Sequence, residues 1–120
     1  MVVTNWAKQQ IALLVAGSST TYPTYFMIGS GSGTALITQT TLIGATDRQL
    51  FTSTNGSTTY KIKWTGDWTS VEMSGLQLRE FGVIPSGATT TGSIWSRISL
   101  PAVTFDGTNE LRTEENWEVF

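Results

Sequence analysis

The sequence predicts a mainly β protein: an antiparallel β-sandwich or barrel-like domain with one amphipathic helix at its N-terminus. Charged residues make up only 13% of the 120 residues, and serine, threonine and glycine take their place, which suits strands joined by many turns. From residue 76 onwards, short runs of alternating apolar and polar residues are separated by turn residues. One stretch near the N-terminus has helical spacing instead.

Length and composition limit what this chain can be. A chain of 120 residues suits one domain over 1–120, with a helix at 5–16 and a β-rich part at 25–120. The net charge of -2 gives no basic surface for nucleic acid, and no apolar run approaches the length of a membrane span. Cysteine and histidine are both absent, which removes thiolate and imidazole ligands and the commonest general base. We expect no metal, no cofactor and no enzymatic activity.

The helix is predicted from its spacing and its caps. Four apolar residues fall on one face at helical spacing: Ala7, Ile11, Leu14 and Val15. Thr4 or Asn5 can cap the first turn, and Gly17 stands where a left-handed residue ends a helix. We expect the helix to cover one face of the sheet, with docking against a neighbouring subunit as the alternative.

A glycine-rich stretch, Gly29-Ser-Gly-Ser-Gly33, follows a short apolar strand at 25–28. A phosphate-binding loop would need a following Lys-Ser or Lys-Thr, or a later glycine at the position of Thr34, and neither is present. The residues after it are rich in threonine and isoleucine, which disfavours the start of a helix. The stretch is therefore predicted to be a flexible turn.

Six further β-segments are predicted downstream. Asn55-Gly56 between the runs 48–53 and 59–64 is typical of a β-hairpin, and a second turn is predicted at 66–69. Strands follow at 76–84, 93–100 and 103–105, the last ending in a turn at Asp106-Gly107, and a closing strand runs to Phe120. Within the first of these, Gly82 indicates a bulge or a close backbone approach.

Two carboxylates lie among the apolar residues of these strands. Glu80 is flanked by apolar residues, and Glu115 falls on the same face as Leu111, Trp117 and Val119. A bulge or a bonded partner must explain Glu115 on that face. Two facing carboxylates are what a glycosidase needs, but arginines are available in the same sheet (Arg79, Arg97 and Arg112). We therefore predict a structural pair between Glu80 and Arg97 and no catalytic residue.

Calcium and sugar binding are two other possibilities. Asp106, Asn109 and Glu110 carry oxygen ligands, but their spacing does not match a calcium-binding loop, and the turn alone explains Asp106-Gly107. Five tryptophans offer stacking platforms for a glycan, although large aromatic residues on alternating strands usually fill the core.

The order of these segments resembles a known family. An N-terminal helix and a Gly/Thr-rich passage with Leu42 and Arg48 precede Arg79-Glu-Phe-Gly-Val83, then Gly92-Ser-Ile-Trp-Ser-Arg97 and a closing strand. This resembles the N-terminal particle-binding module of bacteriophage tail-collar and tail-fibre proteins. In those proteins a long shaft and a receptor-binding tip follow the module, whereas this chain ends at Phe120. We therefore expect a free-standing module.

The resemblance implies a non-enzymatic structural protein of a tailed-phage virion, assembled in the host cytoplasm. It would act as a tail or collar adaptor or as a capsid decoration (cement) protein. Its partners would be copies of itself in a symmetric homo-oligomer, such as a trimer, and other virion proteins. The predicted contact residues are Trp68, Trp95, Phe120, Gly29, Gly31 and Gly33. The alternative is a small glycan-binding module that uses exposed aromatic side chains.

Overall fold

The computed structural model describes residues 1–18, 21–56, 60–85 and 94–118. Two antiparallel sheets pack face to face beside one N-terminal helix, which confirms the predicted fold class. The helices are α1 (Asn5–Val15) and α2 (Ser70–Met73). The strands are β1 (Val2–Val3), β2 (Tyr25–Gly29), β3 (Ala45–Leu50), β4 (Ser53–Gly56), β5 (Lys61–Trp68), β6 (Gln77–Ile84), β7 (Ser96–Thr104) and β8 (Leu111–Glu118).

The core lies between a five-stranded sheet, β1-β7-β6-β2-β3, and a three-stranded sheet, β4-β5-β8. Alternate residues of each strand point to opposite faces, so β2 contributes Phe26 and Ile28 to the core and β5 contributes Trp64 and Trp68. On the other face of the five-stranded sheet a smaller apolar cluster forms. It consists of Met27, Leu42, Ile84 and Ile94.

Helix α1 has the predicted bounds to within one residue. The Thr4 hydroxyl accepts from the Ala7 N–H at 3.1 Å, which caps the first turn, and Gly17 follows the helix at φ +73°. Its apolar face is only partly covered, because Ala7 is buried but Ile11 is 39% exposed and Val15 is 86% exposed. The helix therefore covers part of the core and leaves apolar side chains in solvent.

The predicted hairpin is displaced along the chain. Asn55 and Gly56 pair with Lys63 and Ile62, so they belong to β4 and not to the turn; residues 57–59 lie outside the described part. The expected first arm, 48–53, is also wrong, because β3 pairs with β2 in the other sheet. The chain crosses from one sheet to the other after Leu50. An Asn-Gly pair is a local pattern and does not indicate such a crossing.

The turn predicted at 66–69 is also wrong, because β5 continues through Gly66 to Trp68. A Cβ atom on Gly66 would lie 2.6 Å from Phe26 Cδ2, so this glycine permits close packing of the two sheets. The chain turns at Thr69 instead. Thr69 and Glu72 form a reciprocal capping box at the start of α2.

Strand β7 runs through Pro101, where the sequence suggested a break. The register with β6 shifts between Leu78 and Glu80, so the proline lies opposite an irregularity where a missing N–H is tolerated. The turn at Asp106-Gly107 is confirmed: Gly107 has φ +94°, and Asp106 Oδ1 accepts from the Thr108 N–H at 3.0 Å. In the described residues, no helix is long and apolar enough to cross a bilayer.

Candidate functional site: an apolar cleft beside a buried carboxyl

An apolar cleft of about 780 Å³ opens between helix α1 and the two sheets. Helix α1 contributes Ile11 and Leu14, and the strands contribute aromatic and aliphatic side chains. None of the described side chains that line it is charged. The other lining residues are Tyr22, Pro23, Thr24, Leu50, Phe51, Thr54, Gly56, Ile62, Trp64, Trp95 and Trp117.

The cleft exists because the inner face of β4 carries small residues. Thr54 lies opposite Trp64, and Gly56 lies opposite Ile62, in the β4–β5 register. Chain neighbours aside, a Cβ atom added to Gly56 would have no heavy atom of the described residues within 4 Å. Where large apolar side chains would normally fill the space between two sheets, β4 leaves a gap.

Aromatic contacts hold the walls of the cleft in place. Phe51 stacks on Trp64 with ring centroids 5.7 Å apart, and Trp117 meets Trp64 edge-on at 5.2 Å. Trp117 also lies 5.9 Å from Trp95. Such pairs add stability beyond simple burial, so the cleft is a preformed apolar surface that suits an uncharged occupant.

Glu115 is the buried carboxyl beside this cleft. Its Oε1 accepts from Trp117 Nε1 at 2.8 Å, and its Oε2 has no partner within the described part of the chain. The register of β5 and β8 is continuous past this residue, so a partner and not a bulge explains its position. Burial raises the pKa of the Glu115 carboxyl, and the nearby Ser96 hydroxyl and then the bond from Trp117 offset only part of that effect.

The predicted Glu80–Arg97 pair is confirmed on the other face of the five-stranded sheet. Both side chains are fully buried, and Arg97 Nε donates to Glu80 Oε2 at 2.8 Å. Glu80 also accepts three backbone N–H groups: its Oε1 from Gly31 (3.2 Å) and Gly44 (2.7 Å), and its Oε2 from Ile43 (3.1 Å). One carboxylate thus receives four donors and has no lone pair left for a substrate.

These bonds fix the segment 30–44, which covers the outer face of the sheet. Arg97 Nη1 donates to the Gly33 carbonyl at 3.0 Å and to Gln39 Oε1 at 3.3 Å, so the segment is held at several points. A Cβ atom on Gly31 would lie 2.6 Å from both Glu80 Oε1 and the Gly44 nitrogen. The glycines therefore allow the backbone to approach a buried ion pair.

This geometry corrects the prediction of a flexible glycine turn. Gly29 is buried at the end of β2, and Gly31 is bonded to Glu80. Contacts inside the chain occupy both of them. Gly33 is exposed with its carbonyl bonded to Arg97, and its contact with a partner stays a prediction.

The core uses both Trp68 and Trp95, which were predicted to contact a partner. The prediction is wrong for Trp68, which does not line the cleft. Trp95 does line the cleft, and its contact with a partner stays a prediction. Trp68 is 1% exposed on the inner face of β5, and Trp95 is 2% exposed. Trp95 packs between Trp6 and Trp117. The even-numbered residues of β5 alternate onto the buried face, and this alternation in the sequence indicates that Trp68 is buried. The wrongly predicted turn at 66–69 hid that signal. Phe120 lies outside the described residues.

The exposed apolar side chains are different ones. Ile11, Tyr22 and Leu50 line the cleft and are exposed by 39%, 60% and 57%. Sequence reasoning missed this surface, because the cleft forms from segments far apart in sequence.

Metal ligands do not cluster in the described residues: no group of three or more aspartate, glutamate, histidine or cysteine side chains is placed to hold an ion. Asp106 is instead engaged by the backbone and hydroxyl of Thr108. Comparison with known proteins finds no matching family model, no similar curated protein and no similar solved structure.

Proposed function

We propose that this chain is a non-enzymatic structural protein of a tailed-bacteriophage virion. It acts as a tail or collar adaptor or as a capsid decoration protein, and it assembles through protein–protein contacts as a symmetric homo-oligomer. The observation that carries the proposal is the uncharged apolar cleft with exposed Ile11, Tyr22 and Leu50 along it. Contiguous exposed apolar surface of this kind marks interaction sites in soluble proteins.

The chemistry of the two buried carboxylates supports binding over catalysis. A general acid or base must reach its substrate, but Glu80 is fully buried and accepts four hydrogen bonds. Glu115 is almost fully buried and bonded to Trp117. Neither carboxylate is presented to a ligand.

The resemblance to phage particle-binding modules supports the virion setting. The Arg79–Val83 segment and Arg97 are the residues on which that resemblance depends, and in the structure they supply the buried pair that fixes the segment 30–44. A domain that fixes its loops in this way offers a rigid surface, which lowers the entropic cost of assembly.

A glycan fits the cleft less well than a protein does. Sugar hydroxyls need several polar partners, and a buried hydroxyl without one is costly. Among the described residues that line the cleft, the side-chain polar groups besides the indole N–H groups are the hydroxyls of Tyr22, Thr24 and Thr54. Binding of sugars without binding of virion proteins would favour the glycan-binding alternative.

The test begins with particles purified from a lysate on a density gradient. The proposal predicts that mass spectrometry detects this chain in the particle band and that antibody label lies on the head, neck or tail in electron micrographs. Absence of the chain from washed particles would refute it.

The recombinant chain tests the apolar surface itself. Ile11→Glu places a charge at the cleft, and Val71→Glu places the same charge on α2, where Val71 is 82% exposed and lines no part of the cleft. We expect light scattering to show a loss of assembly for Ile11→Glu and not for Val71→Glu. Equal behaviour of both variants would exclude the cleft as the contact.

A further inference from the structure

We propose that the free edge of β4 receives an extended strand from a partner protein, whose alternate apolar side chains fill the cleft. This inference rests on the proposed function and names how its contact is made. The partner segment is a β-strand of alternating large apolar and polar residues. Main-chain hydrogen bonds to β4 would give affinity, and the cleft would select the side chains.

The first argument is the composition of the sheet edges. Soluble proteins protect an edge strand with charges, prolines, bulges or very short length, because its unpaired backbone groups attract other strands. In the described residues, β4 pairs with β5 alone, and its four residues (Ser53-Thr-Asn-Gly56) are exposed and uncharged. The other long edges carry such protection: Asp47 and Arg48 on β3, Arg112 and Glu114 on β8, and Pro101 on β7.

The second argument is the direction of the side chains. Thr54 and Gly56 face the cleft together with Trp64 and Ile62 of the neighbouring strand. A strand added to the free edge of β4 continues the same pleat, so every second side chain points the same way. Four residues of β4 extend about 13 Å, which places two alternate side chains of the partner in the cleft.

The third argument is chemical. No lining side chain in the described part of the chain is charged, so a charged residue at either inward position would lose its hydration without gaining a partner there. No heavy atom of the described residues lies within 4 Å of a Cβ position on Gly56, chain neighbours aside, so a large residue has room there. The short length of β4 restricts the addition to about four residues, which limits uncontrolled stacking of copies.

The experiment uses a synthetic ten-residue peptide that alternates valine with threonine and lysine as the probe. Binding to the ¹⁵N-labelled chain is followed by NMR, with hydrogen exchange at the amides of Ser53–Gly56 as the direct readout. We expect the peptide to protect β4 amides and to shift the indole signals of Trp64 and Trp117. The same peptide with N-methyl groups on alternate residues keeps its side chains but cannot pair, and it should lose at least about tenfold in affinity.

A matched pair of variants locates the site. Thr54→Glu directs a carboxylate into the cleft, whereas Asn55→Glu adds the same charge on the opposite face of β4, across from Lys63. We expect at least about a tenfold loss of peptide affinity for Thr54→Glu and no loss for Asn55→Glu. Circular dichroism and thermal melts establish that both variants fold.

The outcomes separate the two proposals. Equal binding of the N-methylated peptide, or of a capped amphipathic helix, overturns strand addition and indicates simple filling of the groove. Failure of the alternating peptide to bind overturns the inference even when the chain is present in purified particles, in which case the structural function stands. Absence of the chain from particles refutes the structural function, whatever the peptide does.

Discussion

Substitution of Glu80 by glutamine should be among the most damaging single changes in this domain. Glutamine keeps one oxygen but replaces the other by an NH₂ group, which would face donors. If the oxygen takes the Oε1 position, the N–H groups of Arg97 and Ile43 lose their acceptor; if it takes the Oε2 position, those of Gly31 and Gly44 lose theirs. In either case the guanidinium stays buried without a counter-charge.

The magnitude follows from the burial of the pair. Removing one partner of a buried ion pair costs about 3–5 kcal/mol. For a chain of 120 residues, the entropy of unfolding converts each kcal/mol into roughly 4 °C of melting temperature. Glu80→Gln should therefore lower the melting temperature by about 12–20 °C. Urea titration followed by tryptophan fluorescence gives the corresponding free energy of unfolding.

Glu114→Gln is the matched control. Glu114 lies 3.4 Å from Lys63 and both side chains are close to half exposed, so its loss should cost less than about 1 kcal/mol. If Glu80→Gln and Glu114→Gln change the free energy of unfolding equally, the buried carboxylate does not fix the segment 30–44 and the reasoning is refuted. Hydrogen exchange should also show faster exchange at Gly31 and Gly44 in the Glu80 variant alone.

Three other predictions follow from the same contacts. Folding raises the pKa of the Glu115 carboxyl above its ordinary value of 4.5, so the free energy of unfolding of the wild type should fall as the pH rises from 4.5 toward the folded-state pKa. In urea titrations, Glu115→Gln should therefore be more stable than the wild type at pH 7 but not at pH 4. Gly82→Ala would bring a Cβ atom into steric overlap with the Ser96 carbonyl oxygen and should cost about 1–3 kcal/mol in the same assay; an unchanged midpoint would contradict the close approach of these strands. Trp68→Ala should cost about 3–5 kcal/mol and exposed Val71→Ala less than about 0.5 kcal/mol, whereas a Trp68 that served only as a contact residue would leave monomer stability unchanged.

Local signals predicted the helix and the buried pair from the sequence. Thr4 and Gly17 have the chemistry of helix caps, and their positions bounded α1 to within one residue. Glu80 and Arg97 were matched because a charge among apolar strand residues needs a partner. The three backbone N–H groups that share Glu80 were not predictable, because they depend on how the segment 30–44 folds over the sheet.

The cleft could not be predicted, because its cause lies in the path of the chain between sheets. Asn55-Gly56 looked like a turn, and only the register with β5 shows that Gly56 occupies an inner strand position. A second wrongly predicted turn, at 66–69, concealed the burial of Trp68. Strand alternation is visible in a sequence, but which sheet a strand joins depends on long-range pairing that no local pattern contains.

The connection between the two ends of the fold has a consequence for folding during synthesis. The Thr4 hydroxyl donates to the carbonyl of Ile94, 90 residues later, and within the described residues β1 pairs with Ser96 and Arg97. A nascent chain that does not yet include Ser96 and Arg97 would lack the partner of β1 and the counter-charge of Glu80. Since such distant contacts must form late, this domain should fold only when nearly all of it has left the ribosome.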